Sequence, residues 1–418
     1  MSLLFVSVLL IELFGFVKPD AVQDQAAPEN IVLPDPLVPG LYVFGDSQVD
    51  SGLNTHLHTL MTAMYKPYGI DFSIGATGRF SNGAIITDFL GHDLQLPTTL
   101  SYGVYRSLDK VVRSGFSYAS ASAGILHKTG LELGENWSMG KQIAMFNKTV
   151  QENLRRNYNS TELPKYLSEC IFLVFIGTSD YETNYIEVYY NTSKKYTSEQ
   201  FGSLLVMQLG YQLKALYRLG ARRIVVFEIG PIGCYPASLK VFVPRTKCAE
   251  HINDMVAIFN RKLHRKIEAL RSQLKDATIL VAEMYGLIKD MIERPSSYGF
   301  TDARNSCCQV GSGGIGLCVP ETDVCPNRQA NLFWDDLHLT EAANAIIAGK
   351  CFTDSDFCVS TAGILLGQSP SENVLSFDVN VVTGEWPSYE LPTPQELASL
   401  YLLSLFSHIK SLKGFCKG

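Results

Sequence analysis

Four short apolar runs along the chain have the length and composition of buried β-strands. Each is rich in β-branched and aromatic residues and is continuous, without the alternating polar residues that mark a half-exposed strand. The four runs are Leu41–Gly45, Ile171–Ile176, Ile224–Ile229 and Thr278–Ala282. Because strands that are apolar throughout are covered on both faces, these runs predict a parallel sheet.

The segments between the strands carry the spacing of amphipathic helices. In the clearest one, an apolar residue recurs every three or four positions, at Ile252, Val256, Phe259, Leu263, Ile267, Leu270 and Leu274. Strands that alternate with helices predict a doubly wound α/β domain. In such a domain, the functional residues sit at the carboxyl ends of the strands.

The N-terminus has the features of a secretory signal. The apolar run from Leu3 to Val17 has the length of a signal-peptide core, is short for a membrane span, and contains Glu12. We therefore predict a signal peptide over residues 1–25 and no stable transmembrane anchor. The segment from Val17 to Gly40 is rich in Pro, Asp, Gln and Ala, and its residues 26–40 form a predicted linker.

Beyond a main domain predicted over residues 41–358, the chain continues into a C-terminal extension over residues 359–418. Within it, Thr393-Pro-Gln-Glu396 has the pattern of a helix start, with Pro at the first helical position. This pattern predicts an apolar helix near residues 394–410. We interpret it as an added packing helix, and a lid over a membrane surface or a substrate cleft is the alternative.

Composition and charge narrow the function further. Of the 418 residues, 46% are hydrophobic and 18% are charged, which supports a folded core and excludes a disordered chain. The formal net charge is −6, and no long run of Lys or Arg occurs. A nucleic-acid partner is therefore not expected.

The ten cysteines favour disulfides in an oxidising compartment, although their pairing cannot be read from the sequence. Zinc is the rival interpretation, but Cys307, Cys308, Cys318 and Cys325 lack the paired spacing of a zinc site. We expect no metal and no cofactor. Four N-glycosylation sequons begin at Asn136, Asn147, Asn159 and Asn191. With the leader, they predict a secreted glycoprotein, either extracellular or in the endomembrane lumen.

Three groups of polar residues have the composition of a catalytic site. Ser47, in Gly-Asp-Ser, directly follows the first predicted strand, where its hydroxyl can project from the edge of the sheet. Asp335 precedes His338 by three residues, so its carboxylate can accept the Nδ1–H of the imidazole and leave Nε2 free to take a proton from a serine. The third group, Gly177-Thr-Ser-Asp180, follows the second strand and offers short polar side chains there.

The chain resembles the plant GDSL esterase/lipase family, a branch of the SGNH hydrolases. The resemblance runs from about Leu41 to about Cys351 through ordered blocks of sequence. The blocks are Phe44–Gly52, Pro67–Phe72, Gly75–Gly83, Tyr118–Ile125, Gly177–Tyr181, Gly220–Val226, Gly230–Cys234, Pro295–Phe300, Cys307–Cys308 and Phe333–His338. The resemblance implies a three-layer α/β/α sandwich with a parallel sheet, in agreement with the pattern of strands and helices.

The resemblance also implies catalytic roles. Ser47 matches the family nucleophile, and Asp335 and His338 match the family's Asp-x-x-His pair. The family's oxyanion hole combines the N–H of the nucleophile, a glycine N–H from the Tyr118–Ile125 block and an Asn side chain from the Gly177–Tyr181 block. Gly124 is our choice for the glycine, and Ser179 stands where the family has Asn.

These features predict a secreted serine esterase that acts on a lipid-like or small phenolic ester. An acyltransferase that uses the same three residues is an alternative, because it differs only in which acceptor receives the acyl group. A catalytically impaired binding protein is a third possibility, supported by the short Ser179 side chain. The sequence leaves the oligomeric state open.

Overall fold

The structure, a computed structural model, describes residues 35–106, 113–186, 190–242, 247–311 and 316–353. Its centre is a parallel four-stranded sheet in the order β1-β2-β3-β4. The strands are β1 Leu41–Gly45, β2 Ile171–Phe175, β3 Arg223–Phe227 and β4 Thr278–Ala282. The four strand predictions are confirmed, and the ends differ from the prediction by one or two residues.

A further extended segment, over residues 114–120, pairs with the free edge of β1 and is absent from the sequence prediction. Its backbone bonds to β1 include Leu41 N–H to Ser114 O at 2.8 Å and Tyr118 N–H to Val43 O at 2.8 Å. After β1, the chain first forms this segment at one edge of β1 and then forms β2 at the opposite edge. A parallel sheet opens a crevice where the strand order reverses in this way, at the carboxyl end of β1.

Helices cover both sides of this sheet, so the predicted three-layer α/β/α arrangement is confirmed. The helices are α1 Ile86–Asp93, α2 Tyr102–Tyr105, α3 Met139–Thr149, α4 Arg155–Asn157, α5 Glu162–Glu169, α6 Thr192–Lys195, α7 Ser198–Arg218, α8 Pro236–Val241, α9 Glu250–Gln273, α10 Met284–Glu293 and α11 Glu341–Thr353. The apolar stripe that predicted a helix before Thr278 faces the core from α9. Helix α7 packs along α9, and α1 packs against α11.

Aromatic packing and one buried amide fix α3 against β1. The ring of Phe146 in α3 lies 5.1 Å from that of Tyr42 and 5.7 Å from that of Phe44. Such aromatic pairs contribute roughly 0.5–1.5 kcal/mol each beyond their buried area. The side chain of Gln142 in α3 bonds both backbone groups of Gly45, accepting from N–H at 2.9 Å and donating to O at 2.8 Å. The last residue of β1 is therefore held rigidly.

A second, two-stranded parallel sheet pairs β5 Asp302–Ser306 with β6 Asn331–Phe333. The chain between these strands carries two disulfides, Cys307–Cys325 and Cys308–Cys318, and a third disulfide joins Cys234 to Cys248. The prediction of disulfides is confirmed, and the structure supplies the pairing that the sequence leaves open. Cys170 is a buried free thiol, so the even number of cysteines does not mean that all of them are paired.

Two sequence predictions concern chain ends outside the described residues. The signal peptide over residues 1–25 and the extension over residues 359–418, with its helix near 394–410, remain predictions. Among the helices that the structure describes, none combines the length and apolar character needed to cross a membrane.

Carboxyl groups are buried next to the carboxyl end of β1. Asp46 is fully buried, and burial, opposed by a hydrogen bond from the Gln48 N–H, raises its pKa to about 7. Burial likewise raises the pKa of Asp50 to about 6 and that of Asp180 to about 6. These groups bind protons more tightly in the folded chain than in the unfolded one.

This proton binding predicts how Asp46 affects stability. The unfolded pKa of an Asp is about 3.9. Proton binding by Asp46 therefore contributes fully to the free energy of unfolding below pH ~4. This contribution is lost as the pH rises to about 7, at ~1.4 kcal/mol per pH unit. Asp46→Asn keeps the acceptor for Gln48 N–H but cannot ionise. Its melting temperature, measured relative to the wild type, should rise from pH ~4 to ~7 and then level off. A difference that stays constant with pH would contradict a neutral Asp46.

Candidate active site

Ser47 follows β1 directly because the chain can turn sharply there. A Cβ at Gly45 would lie 2.3 Å from the carbonyl oxygen of Phe175, so no larger residue can end β1 this close to β2. The next N–H, that of Asp46, donates to the same oxygen at 3.1 Å. Asp46 then caps a short 3-10 helix, Ser47–Val49. Ser47 is partly exposed at the start of this helix.

The structure brings Ser47, His338 and Asp335 together in one hydrogen-bonded chain. His338 Nε2 lies 2.8 Å from Ser47 Oγ. His338 Nδ1 lies 2.9 Å from each carboxylate oxygen of Asp335. Asp335 and His338 are 0% and 1% exposed, so water does not compete for these bonds. This arrangement can pass a proton from the serine to the imidazole while the carboxylate stabilises the imidazolium.

The three-residue spacing of Asp335 and His338 belongs to a tight turn that follows β6. The turn is closed by a bond from Trp334 N–H to His338 O at 2.8 Å. Inside it, Asp335 Oδ1 accepts the N–H groups of Leu337 and His338 at 2.9 and 2.8 Å. Oδ1 is therefore held by the backbone of its own turn, which sets the position of the carboxylate before the imidazole binds it.

Tyr68 is a site residue for which the sequence analysis gives no role. Its hydroxyl donates to Asp335 Oδ2 at 2.6 Å, and the side chain is fully buried. Phe80, also buried, places its ring 4.9 Å from that of His338. Both residues belong to the blocks on which the family resemblance rests. Their place in these blocks was the sequence feature that could have indicated a role in the site. It does not show what either side chain contacts.

Asp336, the neighbour of Asp335, points to a different set of partners. Lys240 Nζ lies 2.5 and 2.8 Å from its two carboxylate oxygens, and Ser306 Oγ also donates to it. Lys240 comes from α8 and Ser306 from β5, so this carboxylate ties the catalytic turn to two other elements. Asp335 therefore binds the imidazole, whereas its neighbour Asp336 binds groups outside the hydrogen-bonded chain to Ser47.

The segment between Ala121 and Gly124 offers backbone donors to a developing oxyanion. The Ala121 N–H is bound by Asp50 and Asn54, and the Ala123 N–H is bound by Ser120 O. Within the described part of the chain, the N–H groups of Ser122 and Gly124 have no acceptor. Ser122 adopts a left-handed conformation with φ 62°. It therefore joins Gly124 as a candidate donor that our choice from the sequence passed over.

Asp180 links this segment to the end of β2. Its carboxylate accepts the N–H of Ile125 at 2.6 Å and the hydroxyl of Thr129 at 2.6 Å. Ser179, the residue before it, is buried, and its hydroxyl has no hydrogen-bond partner among the residues that the structure describes. Ser179 is therefore free to donate to a ligand in the crevice.

Glu182 is another carboxyl group close to these residues. Burial, together with the negative charges of Asp46 and Asp335, raises its pKa to about 8. The raised pKa favours the neutral form of this carboxyl group, which adds no negative charge to the site. This matters because an ionised carboxylate near a developing oxyanion would oppose the reaction.

The predicted glycosylation sites differ in accessibility. Asn147, Asn159 and Asn191 are exposed. Asn136 is buried, and its amide donates to Thr129 O at 2.9 Å and to the backbone and side chain of Ser122. A glycan on that nitrogen would require these buried hydrogen bonds to break, so we do not propose one at Asn136. No group of three or more His, Cys, Asp or Glu side chains within the described ranges is arranged to hold a metal ion.

A family model and several known proteins are similar to this chain over most of its length. The family described as GDSL-like lipase/acylhydrolase matches residues 41–350. GDSL esterase/lipase 7 of Arabidopsis thaliana is 39% identical over 325 residues, which cover 77% of this chain and 89% of that protein. A second GDSL esterase/lipase of the same plant is 36% identical over 352 residues, covering 82% of this chain and 92% of the relative.

Among solved structures, a possible lipase from Chitinophaga pinensis covers 79% of this chain and 99% of its own. Its identity to this chain is 13% and its TM-score is 0.29. The family match spans most of the chain and includes all the sequence blocks around the crevice. The chain therefore belongs to the GDSL-like lipase/acylhydrolase family and is a hydrolase of carboxylic esters.

Proposed function

We propose that the chain hydrolyses esters through an acyl-enzyme on Ser47. The observation that carries this proposal is the 2.8 Å contact between Ser47 Oγ and His338 Nε2, with Asp335 behind the ring. As Ser47 Oγ bonds to the acyl carbon of the ester, its proton moves to Nε2. The carbonyl electron pair moves onto oxygen, and Asp335 stabilises the imidazolium.

The proton held on Nε2 then passes to the leaving alcohol, which completes the first half of the reaction. The tetrahedral intermediate collapses, the ester C–O bond breaks, and Nε2 returns its proton to the departing alcohol. A water molecule then loses a proton to Nε2 as it attacks the acyl carbon. When this second tetrahedral intermediate collapses, the bond from the acyl carbon to Ser47 Oγ breaks, Nε2 returns the proton to Oγ, and the acid leaves. If an alcohol takes the place of this water, the same steps transfer the acyl group. That acyltransferase reaction is the alternative that product analysis separates.

The oxyanion that forms in both halves requires donors. We assign them to the N–H of Ser47, one N–H of the segment between Ala121 and Gly124, and the hydroxyl of Ser179. Gly124 and Ser122 are the two candidates in that segment, because their N–H groups have no acceptor among the described residues. The weakest of the three donors is Ser179, since its hydroxyl is shorter than the amide of the family.

We propose a lipid-like or small phenolic ester as the substrate. Leu60, Met64 and Leu131 are exposed apolar side chains on two segments next to the catalytic blocks. The two segments are joined by a bond from Leu60 N–H to Leu133 O at 2.8 Å. Exposed apolar side chains at such a position favour contact with an apolar substrate.

We also propose that the protein is secreted and carries N-glycans at Asn147, Asn159 and Asn191. The three disulfides of the described chain, together with the predicted signal peptide, support an oxidising compartment. No partner other than the ester substrate is required by the proposed reaction.

The nucleophile assignment is tested by Ser47→Ala. The variant should lose covalent labelling by a fluorophosphonate probe, because the probe reacts with an activated serine. Hydrolysis of p-nitrophenyl esters of graded chain length should fall to the residual rate that binding and the oxyanion donors sustain. Labelling that persists in the variant would rule out Ser47. The chain-length profile of the wild type bounds the acyl group that the crevice accepts.

The two adjacent carboxylates provide a matched pair of variants. Asp335→Asn should lower kcat by about 10³- to 10⁴-fold, because an amide can present the wrong partner to His338 Nδ1. Asp336→Asn should retain most of the activity, because Asp336 bonds Lys240 and Ser306 and not His338. Steady-state kinetics with one p-nitrophenyl ester compares them. The opposite ranking would show that the wrong carboxylate has been assigned.

The donor assignment at Ser179 is tested by Ser179→Asn, with Ser179→Ala as its control. The longer amide should raise kcat by up to ~10²-fold with little change in KM, because the added bond forms as charge develops on the oxyanion. The Ala variant should lower kcat for the same reason. If neither variant changes kcat, Ser179 does not belong to the oxyanion hole. If the wild type labels at Ser47 but hydrolyses no ester, the binding-protein alternative gains support.

A further inference from the structure

The carboxylate of Asp335 is held on both of its oxygens by groups from different parts of the chain. Oδ1 accepts the N–H groups of its own turn, as described above. Oδ2 accepts the hydroxyl of Tyr68 at 2.6 Å, from a residue 267 positions away in sequence. His338 Nδ1 lies at 2.9 Å from both oxygens. In the described structure, Oδ2 therefore has the Tyr68 hydroxyl as its donor in addition to the imidazole.

Without that hydroxyl, Oδ2 would be a buried acceptor with His338 Nδ1 as its remaining partner. Asp335 is 0% exposed, so water cannot replace the missing donor. An incompletely bonded buried carboxylate is destabilised and can turn about its side-chain bond. Because the orientation of the imidazole depends on that carboxylate, a small rotation of Asp335 would move Nε2 relative to Ser47 Oγ.

The surroundings of Tyr68 hold its hydroxyl in one place. The ring packs edge-on against Phe80 at 5.9 Å and Trp334 at 6.3 Å, between the catalytic turn and the ring that contacts His338. The hydroxyl oxygen itself accepts the N–H of Cys318 at 3.1 Å. Cys318 is anchored in turn by its disulfide to Cys308, whose N–H donates to Trp334 O at 3.0 Å.

The hydroxyl also stays protonated. Burial, followed by the negative charge of Asp335, raises the pKa of Tyr68 well above its ordinary value. A phenol that does not ionise at physiological pH is a permanent donor to a carboxylate. The imidazole keeps its Nδ1–H but gains and loses a positive charge at Nε2 in each catalytic cycle, whereas the phenol stays neutral throughout.

We propose that Tyr68 is a positioning residue that orients the Asp335 carboxylate for catalysis. Its hydroxyl is held in turn by Cys318, which the disulfide to Cys308 fixes. This inference rests on the proposed function, since it requires Asp335 to act through His338. Tyr68 is 0% exposed and its hydroxyl donates to Asp335, so its effect on Ser47 passes through that carboxylate. Removing the hydroxyl should therefore affect the chemical step and leave substrate binding intact.

Tyr65 provides a matched control for this proposal. It lies in the same segment, packs edge-on against Tyr68 at 5.2 Å, and donates its hydroxyl to Cys318 O at 2.9 Å. No hydrogen bond joins it to Asp335 in the described structure. Tyr68→Phe and Tyr65→Phe therefore remove the same atom from neighbouring sites, and only the first removes a donor to the catalytic carboxylate.

The experiment measures kcat and KM for the full-length wild type, Tyr68→Phe and Tyr65→Phe with one p-nitrophenyl ester. We expect Tyr68→Phe to lower kcat by roughly 10- to 100-fold with KM changed by less than about twofold. Tyr65→Phe should stay within about twofold of the wild type in both constants. The low-field proton NMR signal of the His338 Nδ1–H should move in Tyr68→Phe and not in Tyr65→Phe.

A double-mutant cycle separates positioning from general structural support. In an Asp335→Asn background, Tyr68→Phe should cost little further activity, because the carboxylate that it orients is already gone. A structural role would instead give additive losses in the double variant. Additive losses, or equal kcat values for Tyr68→Phe and Tyr65→Phe, would overturn the proposal. A lower melting temperature of Tyr68→Phe does not change this test. The cycle measures the effect of the same substitution with and without the Asp335 carboxylate.

Failure of the inference can be told apart from failure of the proposed function. If Ser47→Ala abolishes labelling and turnover while the Tyr68 variant behaves like the Tyr65 variant, the inference fails and the catalytic residues stand. If the labelling of Ser47→Ala equals that of the wild type, the proposed function fails, and with it the premise that Tyr68 orients a catalytic carboxylate.

Discussion

The buried carboxylate of Asp335 is the interaction on which the catalytic geometry depends. Removing a charge from water costs several kcal/mol unless donors replace the lost hydration. Here the donors are the N–H groups of Leu337 and His338, the imidazole Nδ1–H and the Tyr68 hydroxyl. Three come from the turn itself and one from a distant loop. These donors replace the hydration that the carboxylate loses, and its attraction for an imidazolium is strongest in such a water-free site.

The place of the site in the fold follows from the path of the chain around β1. Residues 114–120 pair with one edge of this strand and β2 with the other, so neighbouring connections diverge at its carboxyl end. Ser47 lies at that point because Gly45 permits the approach to Phe175 and Gln142 holds the strand end. A rigid strand end is what a nucleophile requires, since displacements of about 1 Å reduce turnover strongly.

The loop between β5 and β6 supplies rigidity that the central sheet does not provide. Its two disulfides close short loops around the back of the catalytic turn, and Cys318 reaches Tyr68 through its backbone N–H. On the other side of the turn, Lys240 and Ser306 bind Asp336. The turn is therefore held by covalent, ionic and hydrogen-bonding contacts from separate elements.

Several properties were determined by the sequence itself because they are local. Continuous apolar runs reflect burial on both faces, so the four strands and the long helix before Thr278 could be predicted. The spacing of Asp335 and His338 is likewise contained within one turn. Other properties depend on which distant segments meet, and periodicity does not encode this. The tertiary structure decided the bond from Tyr68 to Asp335, the disulfide pairing and the burial of Asn136. It also left the N–H groups of Ser122 and Gly124 without an acceptor among the residues that the structure describes. Each depends on how loops cross between strands, because the competing acceptors for a buried donor lie tens to hundreds of residues away along the chain.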